Sequence, residues 1–396
     1  MKEKWMIRNA KIIRGDEILE GYALLCANGE IEGILPNEQA AQTNGYREYD
    51  AKGMYVSAGF VDTHVHGGGG ADFMDDGDDT YKKCIYAHMR HGTTSIMPTT
   101  LAAETAHFRR AIRRYNQAKQ DQEIGKYLVG LHMEGPYFSP AQAGAQKPER
   151  IRDFTEWEYT ELIDLAEGNI RRWSAAPELS GAEKFAAYAK EKGIVLSIAH
   201  SDADFDTVVK AYDWGFCHAT HLYSGMSTVS RKKGFRIAGV VEAAYYLDGM
   251  DVELIADGCH LPNSLLKLAV KSKGVEHVAL ITDAMRAAGE NVTESYLGDS
   301  TDPTPVVIED GVAKLLSREA FGGSIATTDR LLKTILGAGV SLCDGVKMLT
   351  ENPVRMMGIQ DKIGKIEKGY AADLCIFNEN IEIACVFKQG EIVFEA

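Results

Sequence analysis

The sequence predicts an α/β fold: a TIM-type (β/α)8 barrel carrying a small β-sandwich domain formed by both chain ends. Three observations predict it. Between residues 55 and 358, short apolar runs rich in β-branched residues alternate with helical patterns, the mark of βα units around a parallel sheet. Eight such runs can be counted, the number that closes a barrel. The two ends of the chain read instead as hairpins. At 396 residues the chain exceeds one ordinary domain, and a barrel plus a small second domain accounts for its length.

In order along the chain, residues 1–54 come first. WMIRNAKII alternates, and ALLCANGEIEGIL sets Asn28-Gly29 between two apolar runs, a strong hairpin signal. These residues hold too few apolar side chains for a core of their own. Barrel strands are expected near 55–61, 94–98, 127–132, 172–176, 194–199, 215–220, 251–256 and 278–282. Between them lie helical stretches such as YKKCIYAHMRHG, FRRAIRRYNQAKQ, TEWEYTELIDLAEG and SLLKLAVKSKG, several followed by the glycine expected past a helix C-terminus. Residues 290–322 are polar and loop-rich with short strands, and fit neither pattern. Residues 359–396, with KGYAADLCIF, IEIACVF and Gln389-Gly390, return to β and are expected to pair with 1–54 in one domain beside a 55–358 barrel.

Composition limits the partners. With 45% hydrophobic and 25% charged residues the chain is that of a soluble globular protein, and no run approaches the ~18 apolar residues of a membrane span. MKEKWMIRNAKII lacks the apolar centre of a secretory signal, so a cytoplasmic protein without a membrane partner is expected. A net charge of -14 argues against a nucleic-acid partner. The seven cysteines are scattered and never spaced CxxC, which reads as reduced core residues.

Chemistry gathers at the strand ends. VSAGFVDTHVHGGGG closes an apolar strand with His64 and His66, and alternate strand residues share a face, so two imidazole donors point the same way. Gly67 to Gly70 are expected to leave the space above them empty. Alone, such a pair is equally a set of exposed histidines on a strand edge. The arrangement recurs, however: LHMEGPYFSP offers His132 and Glu134, SIAHSDAD His200, HATHLYSGM His221, IADGCHLP His260 and ALITDAMRAAG Asp283. Six of eight strands end in His, Glu or Asp, and in a barrel those ends meet on one face.

In these motifs the chain resembles the amidohydrolase superfamily, most closely the N-acetylglucosamine-6-phosphate deacetylases. The matching residues are DTHVHG, HMEGPYFSP with AGAQ, AHS, ATHLY, ADGCH and TDAM; ENPVRMMG and KGYAADL resemble the closing helix and the return to the small domain. The resemblance implies one or two divalent ions, zinc, iron or manganese. His64, His66 and Glu134 would hold one; Glu134, His200 and His221 the other. It implies Asp283 as the group that accepts the attacking water's proton and delivers it to the leaving amine, and His260 as a hydrogen-bond donor to the acetyl carbonyl. Asp62 and His132 would orient ligands, while His88, His91, His107, His218 and His277 are structural or solvated.

Substrate contacts are expected from Gln146 of AGAQ, from Ser224 and Gly225, and from Arg231 and Lys232 in RKKGFR. That basic run suits either a phosphate or plain solvation. Here Ser224-Gly225-Met226 stands where most relatives carry Asn-Ala-Met, and Lys232 stands at the family's phosphate-binding arginine, one residue after Arg231. The resemblance thus implies hydrolysis of the N-acetyl group of N-acetyl-D-glucosamine 6-phosphate in amino-sugar catabolism. The alternative is a related sugar, N-acetylgalactosamine 6-phosphate or an unphosphorylated one. A non-catalytic scaffold would have no need of Asp283 beside the ligands. A homodimer is expected, since in the family that arginine comes from the neighbouring subunit.

Overall fold

The computed structural model describes residues 3–359 and 361–396. Eight parallel strands form the barrel: Phe60–Val65, Thr93–Pro98, Leu131–Glu134, Ile170–Ala175, Val195–Ile198, Phe216–Ala219, Asp251–Ile255 and Val278–Ile281. The last six pair in chain order, and the first two pair with each other. Single parallel bridges, Thr99 to His132 and Val65 to Ala284, join the two arcs and close the ring. Residues Phe60–Val65 and Thr93–Pro98 are buried throughout, because side chains fill the interior and helices cover the outside. Thr105–Gln120 shows how the helices do so: Phe108, Ile112 and Tyr115 recur at helical spacing and are fully buried, while Arg113 is exposed.

Two expected strands are shifted. The run at 55–61 is divided between two sheets: Tyr55–Ala58 pairs with Lys11–Arg14 and Leu374–Phe377 outside the barrel, and the barrel strand begins only at Phe60. Near 127–132, Gly125–Tyr127 is a 3-10 turn and the strand is Leu131–Glu134. Both apolar runs continue through a change of partner, and hydrophobicity alone cannot mark where one sheet ends and the next begins.

Both predicted hairpins form. Asn28 (φ 56°) and Gly29 (φ 89°) join Tyr22–Ala27 to Glu30–Pro36, and Gln389 (φ 49°) with Gly390 (φ 74°) joins Ile383–Lys388 to Glu391–Glu395. Positive φ at both central residues is what a tight two-residue turn demands. Strands from the two chain ends then share a six-stranded sheet, which packs on a four-stranded one over Trp5, Ile7, Leu24, Val56, Leu374 and Phe387.

The unplaced segment is a three-stranded antiparallel sheet, Glu294–Leu297, Thr304–Glu309 and Val312–Leu315. Arg286 fastens it to the barrel, donating to both Asp75 carboxylate oxygens at 3.0 and 3.1 Å and to the carbonyls of Tyr296 (2.9 Å) and Gly298 (2.6 Å). Its last turn reaches the barrel mouth. No helix among the described residues is long and apolar enough to cross a membrane.

Candidate metal centre and active site

A cavity of about 380 Å³ opens at the C-terminal ends of the barrel strands. At its floor the predicted ligands converge. His64 Nε2 and His66 Nε2 lie 3.3 Å apart, and Glu134 Oε2 is 3.5 Å from His66 Nε2. The other carboxylate oxygen, Glu134 Oε1, is 3.0 Å from His221 Nε2 and 3.3 Å from His200 Nε2. Asp283 Oδ1 closes the circle at 3.0 Å from His66 Nε2 and 3.3 Å from His64 Nε2. Glu134 thus belongs to two donor groups, one with His64 and His66, the other with His200 and His221.

Three of these residues have strained backbones: His200 (φ 45°), His221 (φ 33°) and Asp283 (φ 48°). Each costs on the order of 1–3 kcal/mol and persists only where surrounding bonds enforce it. Ser139 N–H donates to the His200 carbonyl at 2.8 Å, Ser224 N–H to that of His221 at 2.9 Å, and Ser324 N–H to that of Asp283 at 2.8 Å. The twist turns each side chain off the end of its strand toward the axis.

The outward nitrogens fix the imidazoles. His66 Nδ1 faces the Thr99 carbonyl at 3.2 Å and His200 Nδ1 that of Gln142 at 2.8 Å. A carbonyl accepts only, so Nδ1 carries a proton and Nε2 is turned inward. Asp62 accepts from Thr282 Oγ1 at 2.5 Å and from the His64 N–H at 3.3 Å, and burial pushes its carboxyl up to about 7 against those donors. His132 lies edge-on to His64 with ring centres 4.7 Å apart, bonded to Ser174 through Nε2 (2.7 Å). Burial, then the charges of Arg172 and His64, keep it neutral. Both residues therefore contact His64, Asp62 at the His64 backbone N–H and His132 through its ring.

Charge suits a cation here. Burial alone would raise the Glu134 carboxyl, but His64, His200 and His221 outweigh it and hold it well below the usual range; His64, His66 and His221 lower that of Asp283 against its burial. In return, against the cost of burial, Asp283 and Glu134 lift His66 to about 9. Two buried carboxylates stabilise positive charge at the point where four imidazole nitrogens meet. This nitrogen and oxygen donor set fits a divalent transition metal.

The glycines after His66 behave otherwise than expected. Only Gly70 faces open space: a Cβ at Gly67 would meet the Ala71 carbonyl at 2.2 Å, one at Gly68 the His88 ring at 2.8 Å and one at Gly69 the Lys83 carbonyl at 2.9 Å. They allow the loop to press on its neighbours, with His88 Nε2 donating to Gly67 O at 2.8 Å. Gln146 also departs from a plain substrate contact. Its Nε2 donates to Glu134 Oε2 at 2.9 Å and its Oε1 accepts from Ala102 N–H at 2.8 Å, so it steadies Glu134 while lining the cavity.

His260, Ser224 and Gly225 line the cavity, whereas Arg231 and Lys232 sit on an exposed hairpin, Ser230–Lys232 with Phe235–Ile237, outside its wall. His260 Nδ1 donates to Asp257 Oδ2 at 2.8 Å. Sequence reasoning did not single out Asp257, although it stands three residues before His260. Nor did it find the fully buried Arg172–Glu253 ion pair, whose Glu253 Oε2 lies 3.9 Å from His64 Nδ1. The available signal was a pair of charged residues inside each of two short strands, Arg171 and Arg172 in IRRWSA and Asp251 and Glu253 in DVELI.

A closed parallel barrel with this donor set at its mouth defines a metal-dependent hydrolase. The amidohydrolase family model matches residues 55–393. N-acetylglucosamine-6-phosphate deacetylase of Bacillus subtilis (strain 168) is 30% identical over 100% of this chain and 98% of its own. N-acetylgalactosamine-6-phosphate deacetylase of Escherichia coli O157:H7 is 28% identical over 98% of each chain. Among solved structures, a variant of N-acetyl-D-glucosamine-6-phosphate deacetylase from Mycobacterium smegmatis, in complex with N-acetyl-D-glucosamine-6-phosphate, superposes with a TM-score of 0.89 at 27% identity, covering 99% of both chains. The chain belongs to the amidohydrolase family, among its N-acetylglucosamine-6-phosphate deacetylases. It is a hydrolytic deacetylase.

Proposed function

We propose that the protein hydrolyses N-acetyl-D-glucosamine 6-phosphate to D-glucosamine 6-phosphate and acetate. The observation that carries this is the meeting of five ligand-type side chains and Asp283 in one cavity of a chain alike over its whole length to such deacetylases. His64, His66 and Glu134 would hold one divalent ion and Glu134, His200 and His221 a second, zinc, iron and manganese all suiting the donors. When bound, the metal supplies Lewis acidity at the acetyl carbonyl and a water of lowered pKa.

The remaining work falls to the chain. Asp283, ionised beside His66, accepts the proton of the attacking water and delivers it to the amine nitrogen, without which the amine is a poor leaving group. His260, oriented through Nδ1 by Asp257, lines the cavity and there stabilises the carbonyl oxygen as negative charge grows on it. Ser224 and Gly225 bound the sugar site, and Gln146 keeps Glu134 in register. Arg231 and Lys232, on their exposed hairpin with Phe235, belong to a homodimer interface in this reading. The compartment is cytoplasmic.

A second reading, the galactosamine 6-phosphate isomer, is favoured by the near-equal likeness to the E. coli relative. Acetate release from N-acetylglucosamine, N-acetylglucosamine 6-phosphate and N-acetylgalactosamine 6-phosphate, with and without chelator, separates the two. Chelator-sensitive preference for the glucosamine phosphate supports the first; preference for its isomer moves the assignment; no acetate from any sugar ends both.

A further inference from the structure

A second cavity, of about 530 Å³, lies at the opposite face of the barrel from the metal centre, where the strands begin. Its floor is Ser95 of the second barrel strand with Leu128 and Val129, which precede the third. Its roof comes from the end domain: the Asn28-Gly29 turn, Lys388 and Gln389, and residues between 361 and 373. Backbone bonds seam that roof, Ala372 N–H donating to the Gly29 carbonyl and Gly390 N–H to the Ala372 carbonyl, both at 2.9 Å. The cavity therefore sits on the joint between the two parts of the molecule and shares no lining residue with the catalytic one.

Four lysines line it, Lys119 and Lys126 from the barrel side and Lys362 and Lys388 from the other, in a chain whose net charge is -14. Lys388 is 2% exposed and bonds Asp373 at 2.7 Å, and Lys126 stands 3.6 Å from Glu391. Lys119 and Lys362 have no carboxylate within ion-pair reach among the described residues; Lys119 Nζ donates instead to the carbonyls of Leu128 (2.5 Å) and Gly125 (3.4 Å). Burial, then Lys388 and Arg171, lower the Lys119 ammonium against the pull of Asp361. The remaining acids on the wall, Glu30 and Asp361, are exposed, where water and salt screen them. Ser95 supplies a second, independent sign. It is fully buried, it lines the cavity, and its Oγ has no hydrogen-bond partner among the described residues. A buried hydroxyl left unpaired is a cost that a bound acceptor removes. Ammonium groups and one hydroxyl are all donors, set around a space rather than forked in one plane, which suits a tetrahedral anion with several oxygens better than a flat carboxylate.

We infer that this cavity is a binding site for a phosphate group, free or carried by a small organic molecule, and that the bound anion ties the barrel to the end domain. Which amino sugar the enzyme hydrolyses does not bear on it. The test uses metal-loaded wild type, Ser95→Ala, Lys119→Met and Lys362→Ala. Lysine acetylation by a reactive ester is mapped by mass spectrometry with inorganic phosphate, with ADP, or with chloride at equal ionic strength, and affinity is measured by calorimetry. No lysine lines the catalytic cavity, so protection of lysines reports this site alone. Phosphate or ADP should slow labelling of Lys119, Lys126 and Lys362 several-fold over other lysines and raise the melting temperature. Each lysine variant should weaken binding by about tenfold. Ser95→Ala is the sharper arm: deleting an unpaired hydroxyl should leave the free protein as stable as wild type and its deacetylation unchanged, yet weaken the binding of phosphate. Protection by phosphate itself assigns a free anion, and protection by ADP alone assigns an organic phosphate. Protection by neither, slowed labelling at lysines everywhere, or binding that survives all three substitutions overturns the site.

Discussion

Asp283 is the residue on which proton transfer depends, and Asp283→Asn tests it with almost no change of shape. Turnover should fall by about 10²- to 10⁴-fold, as for loss of a general acid–base group, while metal content and the far-ultraviolet spectrum stay as in wild type. Gly225 gives a steric test of the ligand set. It sits at φ 57°, and a Cβ there would lie 2.7 Å from His200 Nδ1, the nitrogen that bonds the Gln142 carbonyl. Gly225→Val should displace the ring and weaken metal retention by about tenfold, read by metal analysis after dialysis. The ligands themselves were legible in the sequence, because each follows an apolar run that can only be a barrel strand. Gln146 was legible as a residue of the mouth but not as the clamp of Glu134, since its second contact, Ala102, comes from a different loop and nothing in either segment encodes their meeting.

At the scale of elements, charges inside strands decide what the barrel tolerates. Arg172 and Glu253 are both fully buried, so Arg172→Met leaves a bare carboxylate in the core and should cost about 3–5 kcal/mol in urea denaturation. Adding Glu253→Met should return most of that loss. Asp251 opens the seventh barrel strand and accepts from Arg355 at 2.9 and 3.2 Å; burial would raise its carboxyl, but Arg355 and His218 hold it below 3.8. A carboxyl lowered by folding contributes stability above its unfolded value, and that contribution is lost as pH falls through the folded one. Asp251→Asn should therefore be less stable than wild type at pH 7 by about 1 kcal/mol, a modest figure because Arg355 is half exposed, and the gap should close in strong acid. Eight strands and two hairpins could be read from apolar runs and Asn-Gly or Gln-Gly turns. The sheet at 294–315 could be read only as short strands without a place, because they are half exposed and their small apolar cluster, Leu297, Val306 and Ala313, packs on Met285 and Ala287 of another segment.

For the whole molecule, metal and fold are expected to be linked. A cation held by four histidines and two acids brought together at strained strand ends stabilises only the folded chain, so chelation should lower the melting temperature as well as abolish activity, and added metal should restore both. Unchanged melting in the chelated protein would show a site prepared entirely by the scaffold. The mixed end sheet bears on how the molecule is made. Tyr55–Ala58 pairs on one side with Lys11–Arg14 and on the other with Leu374–Phe377. On a ribosome adding about 5–20 residues per second, ~320 residues separate the two partners, so that strand edge waits on the order of 15–60 s for its mate. During that interval the growing chain offers an unpaired apolar edge to any neighbour, and the yield of native protein should rise with whatever shields nascent chains and fall with the speed at which they are crowded together.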